Sequence, residues 1–392
     1  MQVDALIIGA GPAGTSCALG LAQRGWRVVI IDRSTFPRHK TCGGFIGPEN
    51  KLLLMDLGIW SRLLEEGACV VERSVITSSK GASTFIPIDG SALGVSRKLL
   101  DKLLLDRVKK MGIDVYEAAQ VRSIYNNGKG FDVSIDHYGA NKIFNLRARH
   151  IIDASGQHPP SVKPIKIQFG LAAMYEGITQ SAQCVMLHCC QGGHVGINPF
   201  ENGQVNVCYV VDSGHFKSHG SNADQVLSEW IKESYHLQRL MIGAKRVTTW
   251  KAIHIPMRDS IVLFENNIWR VGNSAAFIDT ATGGGISVAL QSGQILARAL
   301  SEHVQDKDIL RQYTEHYLQH FSKQRRVASL FGRFAHYPWA AEMIIRLLDS
   351  NNLLRQAAMG HARPGNDAKI KYEIMKDKFS GIKIKKGAFS EV

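Results

Sequence analysis

The sequence predicts a mixed α/β fold, and three features predict it. A short apolar run, Val3 to Ile8, enters a glycine-rich turn and a helical stretch, and a second apolar run, Val28 to Ile31, follows. Two more runs of the buried-strand type, His150-Ile151-Ile152 and Ile268-Trp269-Arg270-Val271, return much later in the chain. Between those two lies a stretch with strand-like pieces and one helix, which reads as a separate, mostly antiparallel sheet.

The first turn carries the strongest pattern. Gly9 permits the tight exit from the strand, Gly11 lets the backbone approach a diphosphate, and Gly14 lets the helix pack against the sheet. The helix N-terminus, with Pro12 and Ala13, then aims its amides at the phosphates. Gly25 closes the helix, expected over Thr15 to Arg24, at the C′ position. Asp32 lies eighteen residues beyond Gly14, at the end of the next strand, where a carboxylate can accept ribose hydroxyls. Strand, motif, helix, strand and acid in that order predict a Rossmann-like, three-layer ββα fold for FAD or NAD(P).

The rest of the chain follows in order. Phe36 to Glu49 is rich in Pro and Gly and reads as a loop. Ser96 caps an expected helix from Arg97 to Met111. Strands are expected near Asp114–Tyr125, Phe131–His137 and Lys142–Leu146, with a turn at Asn127-Gly128. The middle stretch contains a strand at Val205–Val211 and a helix near Ala223–Tyr235. A long helix starts near Gly285, and 308–359 reads as all helix with an apolar second half. This divides the chain into a discontinuous cofactor-binding domain (1–75, 97–160, 262–305), a substrate-binding sheet domain (76–96, 161–261), a helical region (306–361) and a basic tail (362–392).

Composition narrows the function classes. The 392 residues are 45% hydrophobic and 21% charged, ordinary for a globular enzyme. The net charge is +13, with seven lysines gathered between Lys369 and Lys386. There is no dedicated nucleic-acid motif, so no nucleic-acid partner is expected. Seven cysteines in no metal-type spacing fit a reducing compartment, and no metal site is expected. The N-terminus starts directly on a strand-like run and no segment has the apolar length of a membrane span, so a cytoplasmic location is expected. The apolar helices and basic tail leave peripheral membrane contact as an expectation, and the oligomeric state is open.

A resemblance separates FAD from NAD. Val271-Gly272-Asn273-Ser274-Ala275-Ala276, followed by Asp279-Thr280-Ala281-Thr282-Gly283-Gly284-Gly285-Ile286, resembles the para-hydroxybenzoate-hydroxylase-like FAD superfamily. Asn273, Thr280 and Gly284 stand where those proteins usually carry Asp, Pro and an acidic or polar residue. The loop Phe36-Pro37-Arg38-His39-Lys40-Thr41-Cys42-Gly43-Gly44 is most similar to the geranylgeranyl reductase and flavin-dependent halogenase branch. Gly192 to Pro199 and Val205 to Cys208 resemble monooxygenase-like flavoproteins that accompany type III polyketide synthases.

The resemblance implies a cofactor set as well. Asn273 would meet the ribityl chain, and Gly283, Gly284, Gly285 and Ile286 would face the flavin ring with a helix N-terminus. Arg97 and Val121 would meet the cofactor, Val121 near adenine; Arg33, Arg38, Cys42, Gly43 and Gly156 complete the set. Cys42, His194 and Asn198 are the candidate catalytic groups. Cys42 could donate a proton or fill a tight loop; His194 and Asn198 could orient a hydroxyl, move a proton or serve the sheet.

The leading reading is an NAD(P)H-dependent monooxygenase that hydroxylates a small apolar aromatic, polyketide or lipid-like substrate through a flavin C4a-hydroperoxide. One alternative is a reductase saturating isoprenoid or lipid double bonds. The other is a non-catalytic flavin-binding or membrane-associated partner. A halogenase is disfavoured, because the Trp-x-Trp-x-Ile-Pro motif is absent.

Overall fold

The computed structural model describes residues 1–156, 162–179 and 183–356; the expected basic tail and the end of the helical region lie outside the described residues. Along the chain come β1 (Gln2–Ile8), α1 (Pro12–Ala22), β2 (Val28–Ile31), β3 (Phe45–Ile46), α2 (Lys51–Asp56) and α3 (Trp60–Glu65). Next are β4 (Cys69–Ser78), β5 (Ser83–Gly94), α4 (Arg97–Lys110), β6 (Asp114–Tyr116), β7 (Gln120–Asn126), β8 (Phe131–His137) and β9 (Lys142–Asp153). The middle holds β10 (Lys166–Glu176), β11 (Cys184–Cys190), β12 (Gly193–Pro199), β13 (Val205–Asp212), α5 (Ser213–Ser218), α6 (Ala223–Glu233) and α7 (Tyr235–Met241). Then follow β14 (Lys245–Arg246), β15 (Lys251–Met257), β16 (Phe264–Glu265), β17 (Ile268–Arg270), α8 (Gly285–Glu302), α9 (Asp306–Ala335) and α10 (Pro338–Ser350).

The first sheet runs β16-β17-β9-β1-β2-β6, and its central pairs β17·β9, β9·β1, β1·β2 and β2·β6 are parallel. Side-chain alternation builds three layers from it. Ala5, Ile7, Val28 and Ile30 join the core under α1, α4 and α8, whereas Val3, Leu6, Val29 and Ile31 meet the β7–β8–β9 meander on the other face. The two strands expected at Lys142–Leu146 and His150–Ile152 are one, β9. It is long enough to pair with β8 at one end and with β1 at the other.

The second sheet, β14-β10-β13-β12-β11-β4-β5-β3, is antiparallel apart from β11·β4, and β15 joins on β10. It takes in more of the N-terminal half than the segment 76–96, because the β4–β5 hairpin extends back to Cys69 and β3 adds at its edge. Several boundaries differ from the sequence reading for local reasons. α1 starts at Pro12 rather than Thr15, since proline at the first helical position loses no hydrogen bond. The strand expected over Asp114–Tyr125 breaks at Ala118, which has φ 49°. The C-terminal helix divides at His336–Tyr337, ahead of Pro338. Ser96 does cap α4, its Oγ accepting from the Leu99 amide at 3.1 Å.

α1 and α8 pack with almost no space between their backbones. A Cβ at Gly293 would lie 2.6 Å from the Ala13 carbonyl oxygen and 2.9 Å from the Cys17 nitrogen. Gly293→Ala is therefore expected to push the helices apart and destabilise the fold by about 1–3 kcal/mol. A melting temperature equal to that of the wild type would contradict this packing.

Candidate active site

The glycine turn of β1–α1 forms one end of a cleft. Gly9 has φ 111°, and a Cβ there would strike the Ala154 carbonyl oxygen at 2.6 Å; one at Gly14 would sit 1.9 Å from the Gly9 carbonyl oxygen. Both glycines are therefore required by the fold. Gly11 differs: its nearest atoms are the Arg97 and Arg38 guanidinium nitrogens, at 3.7 and 4.0 Å from a Cβ. It is the N-cap of α1 and makes no side-chain cap, so the first-turn amides, past Pro12 and buried Ala13, open toward those cations.

One buried acid organises the cations. Asp101, fully buried on α4, takes both its oxygens to Arg97, at 2.7 and 2.8 Å, and lies 3.5 Å from Arg38. Burial works to lower the Arg97 pKa, but the Asp101 charge and hydrogen bonds, with a contact to the Cys42 thiol, raise it. Arg38 Nε is buried without a partner. Lys40, missing from the sequence-derived set, completes a cationic triad; a Cβ at Gly156 would lie 3.7 Å from its Nζ. Surrounding protein, then the charges of Arg97 and Arg38, lower the Lys40 pKa to about 8. The Arg-His-Lys order of residues 38–40 was the available signal.

Asp32 accepts from the amides of Ala10 and Ser34, each at 2.8 Å, at the end of β2. Arg33 beside it is exposed, and its carbonyl accepts from the Tyr138 hydroxyl. Val121 is half-buried on β7, paired with Ile135 in the meander.

The second half of the cleft comes from distant sequence. Gly272 sits against α1, where a Cβ would be 2.9 Å from Ala13 Cβ, and exposed Asn273 follows it. Ser274 Oγ accepts from the Gly156 amide at 2.8 Å and donates to Asp153 at 3.1 Å, fixing that loop to the end of β9. Gly283, with φ 68°, lies on the Phe45 ring, Gly284 is the N-cap of α8, and Gly285 faces open space ahead of buried Ile286. Phe45 is three residues beyond Cys42, whose thiol meets Arg97 above Gly11. A continuous wall thus joins the glycine turn to the α8 N-terminus.

The second sheet closes the remaining side. Asn198 on β12 donates to the Gly43 carbonyl at 3.0 Å, and Asn206 on β13 donates to the Cys42 carbonyl at 3.0 Å. Asn198 therefore holds the Cys42–Gly43 loop in place; Asn206, which does the same, was not singled out from sequence. His194 Nε2 lies 3.5 Å from the Thr280 hydroxyl, and its ring centroid is 5.7 Å from that of His336. Burial, then the His336 charge, lowers the His194 pKa to about 3, so this imidazole is neutral at ordinary pH. His336 is anchored by Asp212 at 3.2 Å, and Asp212 also receives Lys166 at 2.7 Å and Gln168 at 2.9 Å. Burial opposes the Asp212 charge, yet the hydrogen bonds of His336, Lys166 and Gln168 hold its carboxyl well below the usual range.

The donors fit a flavin dinucleotide. A cationic rim and open amides suit a diphosphate, and the Thr282 hydroxyl, buried without a partner, lies beside Gly284 at the α8 N-terminus, where a polar ring edge could pair. Fold and cleft together define a dinucleotide-dependent oxidoreductase with a second sheet closing one side of the cleft. The chain belongs to the FAD binding domain family, which it matches over residues 2–326. It is a FAD-dependent oxidoreductase.

Among similar proteins is digeranylgeranylglycerophospholipid reductase 2 of Methanopyrus kandleri, 25% identical over 349 residues, covering 84% of this chain and 85% of that one. Menaquinone reductase of Mycobacterium tuberculosis is 25% identical over 364 residues, covering 85% of each. In structure, the chain resembles the flavin-dependent brominase Bmp2, with TM-score 0.80, 17% identity and coverage of 97% of this chain and 100% of that one. A geranylgeranyl bacteriochlorophyll reductase-like protein of Thermoplasma acidophilum gives TM-score 0.76 at 16% identity, covering 95% and 99%.

Two expectations follow. Gly11→Val leaves the fold intact, because space exists at Gly11, but fills the diphosphate approach; the variant should purify colourless with a wild-type circular dichroism spectrum. A fully yellow variant would place the diphosphate elsewhere. Lys40 gives a pH dependence whose sign is fixed. A bound diphosphate favours the protonated amine, so binding takes up a proton above the unliganded pKa of about 8. FAD affinity should fall as pH rises through that value, and Lys40→Met should flatten the profile measured by fluorescence titration.

Proposed function

We propose that the enzyme reduces a carbon–carbon double bond in a lipid-like, isoprenoid substrate, with NAD(P)H as the reductant. The observation that carries this reading is the corner between α9 and α10. His336 ends α9 beside His194, and Trp339, Met343 and Leu347 then follow at four-residue spacing on α10, 59%, 65% and 55% exposed. The opposite face of α10, with Ala341 and Ile345, packs on the second sheet. An apolar stripe thus leads from the surface to the substrate side of the cleft, a path suited to a greasy chain. The relatives named for reduction of digeranylgeranylglycerophospholipids and of menaquinone support the same substrate class.

When bound, FAD supplies the two-electron chemistry. This chain's residues hold and orient. Arg97, Arg38 and Lys40 neutralise the diphosphate, Asn198 and Asn206 fix the Cys42–Gly43 loop, and Phe45 and Gly283 close the cleft at the α8 N-terminus. The Cys42 thiol, touching Arg97, is the candidate proton donor to the reduced carbon.

A second reading is hydroxylation of a phenolic, lipid-like substrate with oxygen. The specific observation behind it is a neutral His194 whose buried Nδ1 has no partner, next to the Thr280 hydroxyl. That pair is suited to orienting a phenol hydroxyl rather than an alkene. One assay separates the two. NAD(P)H-dependent loss of a double bond from a polyprenyl lipid under anaerobic conditions is expected, with Cys42→Ala slower and FAD content unchanged. Substrate-stimulated oxygen uptake with a hydroxylated phenolic product, and no anaerobic reduction, would replace the first reading by the second.

A further inference from the structure

Away from the cleft, the outer side of the second sheet gathers three donors of metal-ligand type. His215 on α5 and His219 at its C-terminal end are four residues apart, so one helical turn brings their ring centroids to 4.5 Å. α6 lies across them because Phe216 shares a core cluster with Val226, Leu227 and Trp230. That packing carries Glu229 to the His219 ring. One ligand atom from each of His215, His219 and Glu229 lies within 4.8 Å of the other two.

Their orientations ask for a shared cation. His219 Nδ1 is 2.8 Å from the His215 carbonyl oxygen, a contact in which the ring nitrogen donates. In the neutral ring Nε2 then carries the lone pair, yet it faces a carboxylate oxygen of Glu229. A proton between those two atoms would serve that pair alone. It would leave His215 Nε2, which is buried and without a partner, unexplained. The His215 ring is also held in place, stacked on Trp230 at 12° and 5.7 Å between centroids. A histidine oriented through Nδ1 by a backbone carbonyl, with Nε2 turned to a ligand, is how proteins prepare imidazole for metals.

We propose that His215, His219 and Glu229 bind one divalent transition-metal ion of the zinc class, with solvent completing its coordination. Two imidazoles and one carboxylate suit zinc, cobalt or nickel and are poor ligands for magnesium or calcium. The ion clips α5 to α6. Because α5 begins directly after Asp212, which anchors His336 beside the cleft, the clip also stiffens one support of the substrate wall. The site does not depend on which flavin reaction the cleft performs.

The test uses the full chain, untagged and stripped with a chelator, titrated with Co²⁺ and then with Zn²⁺. The expected result is one Co²⁺ per chain with visible d–d bands, displaced by Zn²⁺, and a higher melting temperature with Zn²⁺. His215→Ala and Glu229→Gln should each weaken binding about tenfold or more, with wild-type flavin content and circular dichroism. Glu229 is half-exposed, so its variant remains informative if His215→Ala misfolds. Absence of Co²⁺ binding in the wild type, or equal binding in wild type and Glu229→Gln, overturns the proposal.

Discussion

The structure depends on how closely the backbone of α1 is gripped at its start. Gly14 lies against the Gly9 carbonyl, Gly272 against Ala13, and Gly293 against the Ala13 carbonyl, all at separations that exclude a side chain. Three segments far apart in sequence thereby meet around one helical turn. This contact, rather than any single strand, fixes the distance between the glycine turn and the α8 N-terminus. A β-carbon at Gly14 or Gly293 would open the junction by displacing backbone, which cannot relax as a side chain can, and one at Gly272 would strike the Ala13 methyl.

Charge at the junction is arranged around a single buried carboxylate. Asp101 alone in that position would cost several kcal/mol in lost hydration. Bidentate pairing with Arg97 and proximity to Arg38 offset that cost and hold both cations over the glycine turn. The acid therefore works as an aligning group: it lets guanidinium groups converge on a small volume despite their repulsion. Burial, then the charges of Arg97 and Arg38, lower the Lys40 pKa with no paired acid among the described residues to offset them, whereas the Asp101 pairing raises that of Arg97. An anionic ligand relieves the repulsion among all three, so binding and local order reinforce each other.

How much of this was legible in the sequence follows from what each feature rests on. The glycine spacing and Asp32 were legible because φ and steric limits act locally, and the α8 start was legible through its resemblance to flavoproteins. Asp101 was not: it sits among leucines and lysines on α4, and only burial distinguishes it from an ordinary helix-surface acid. Asn206 and His336 were hidden for the related reason that their partners, Cys42 and Asp212, are more than a hundred residues away. Breaks such as Ala118 and joins such as β9 escaped because tertiary pairing overrides local propensity.

The two histidines beside the cleft show why charge state, and not proximity alone, bounds the chemistry. His194 is buried with a cation-capable neighbour, and both effects disfavour its protonation. A proton held at neutral pH on that ring would need a compensating anion in contact with it. The nearby acid, Asp212, is instead committed to His336, Lys166 and Gln168. His194 is therefore confined to hydrogen bonding, giving shape and polarity to the pocket beside Thr280. Across the cleft, the Cys42 loop is clamped by Asn198 and Asn206, and its thiol meets Arg97. The second sheet thus holds in place a loop that belongs to the glycine-turn half of the chain.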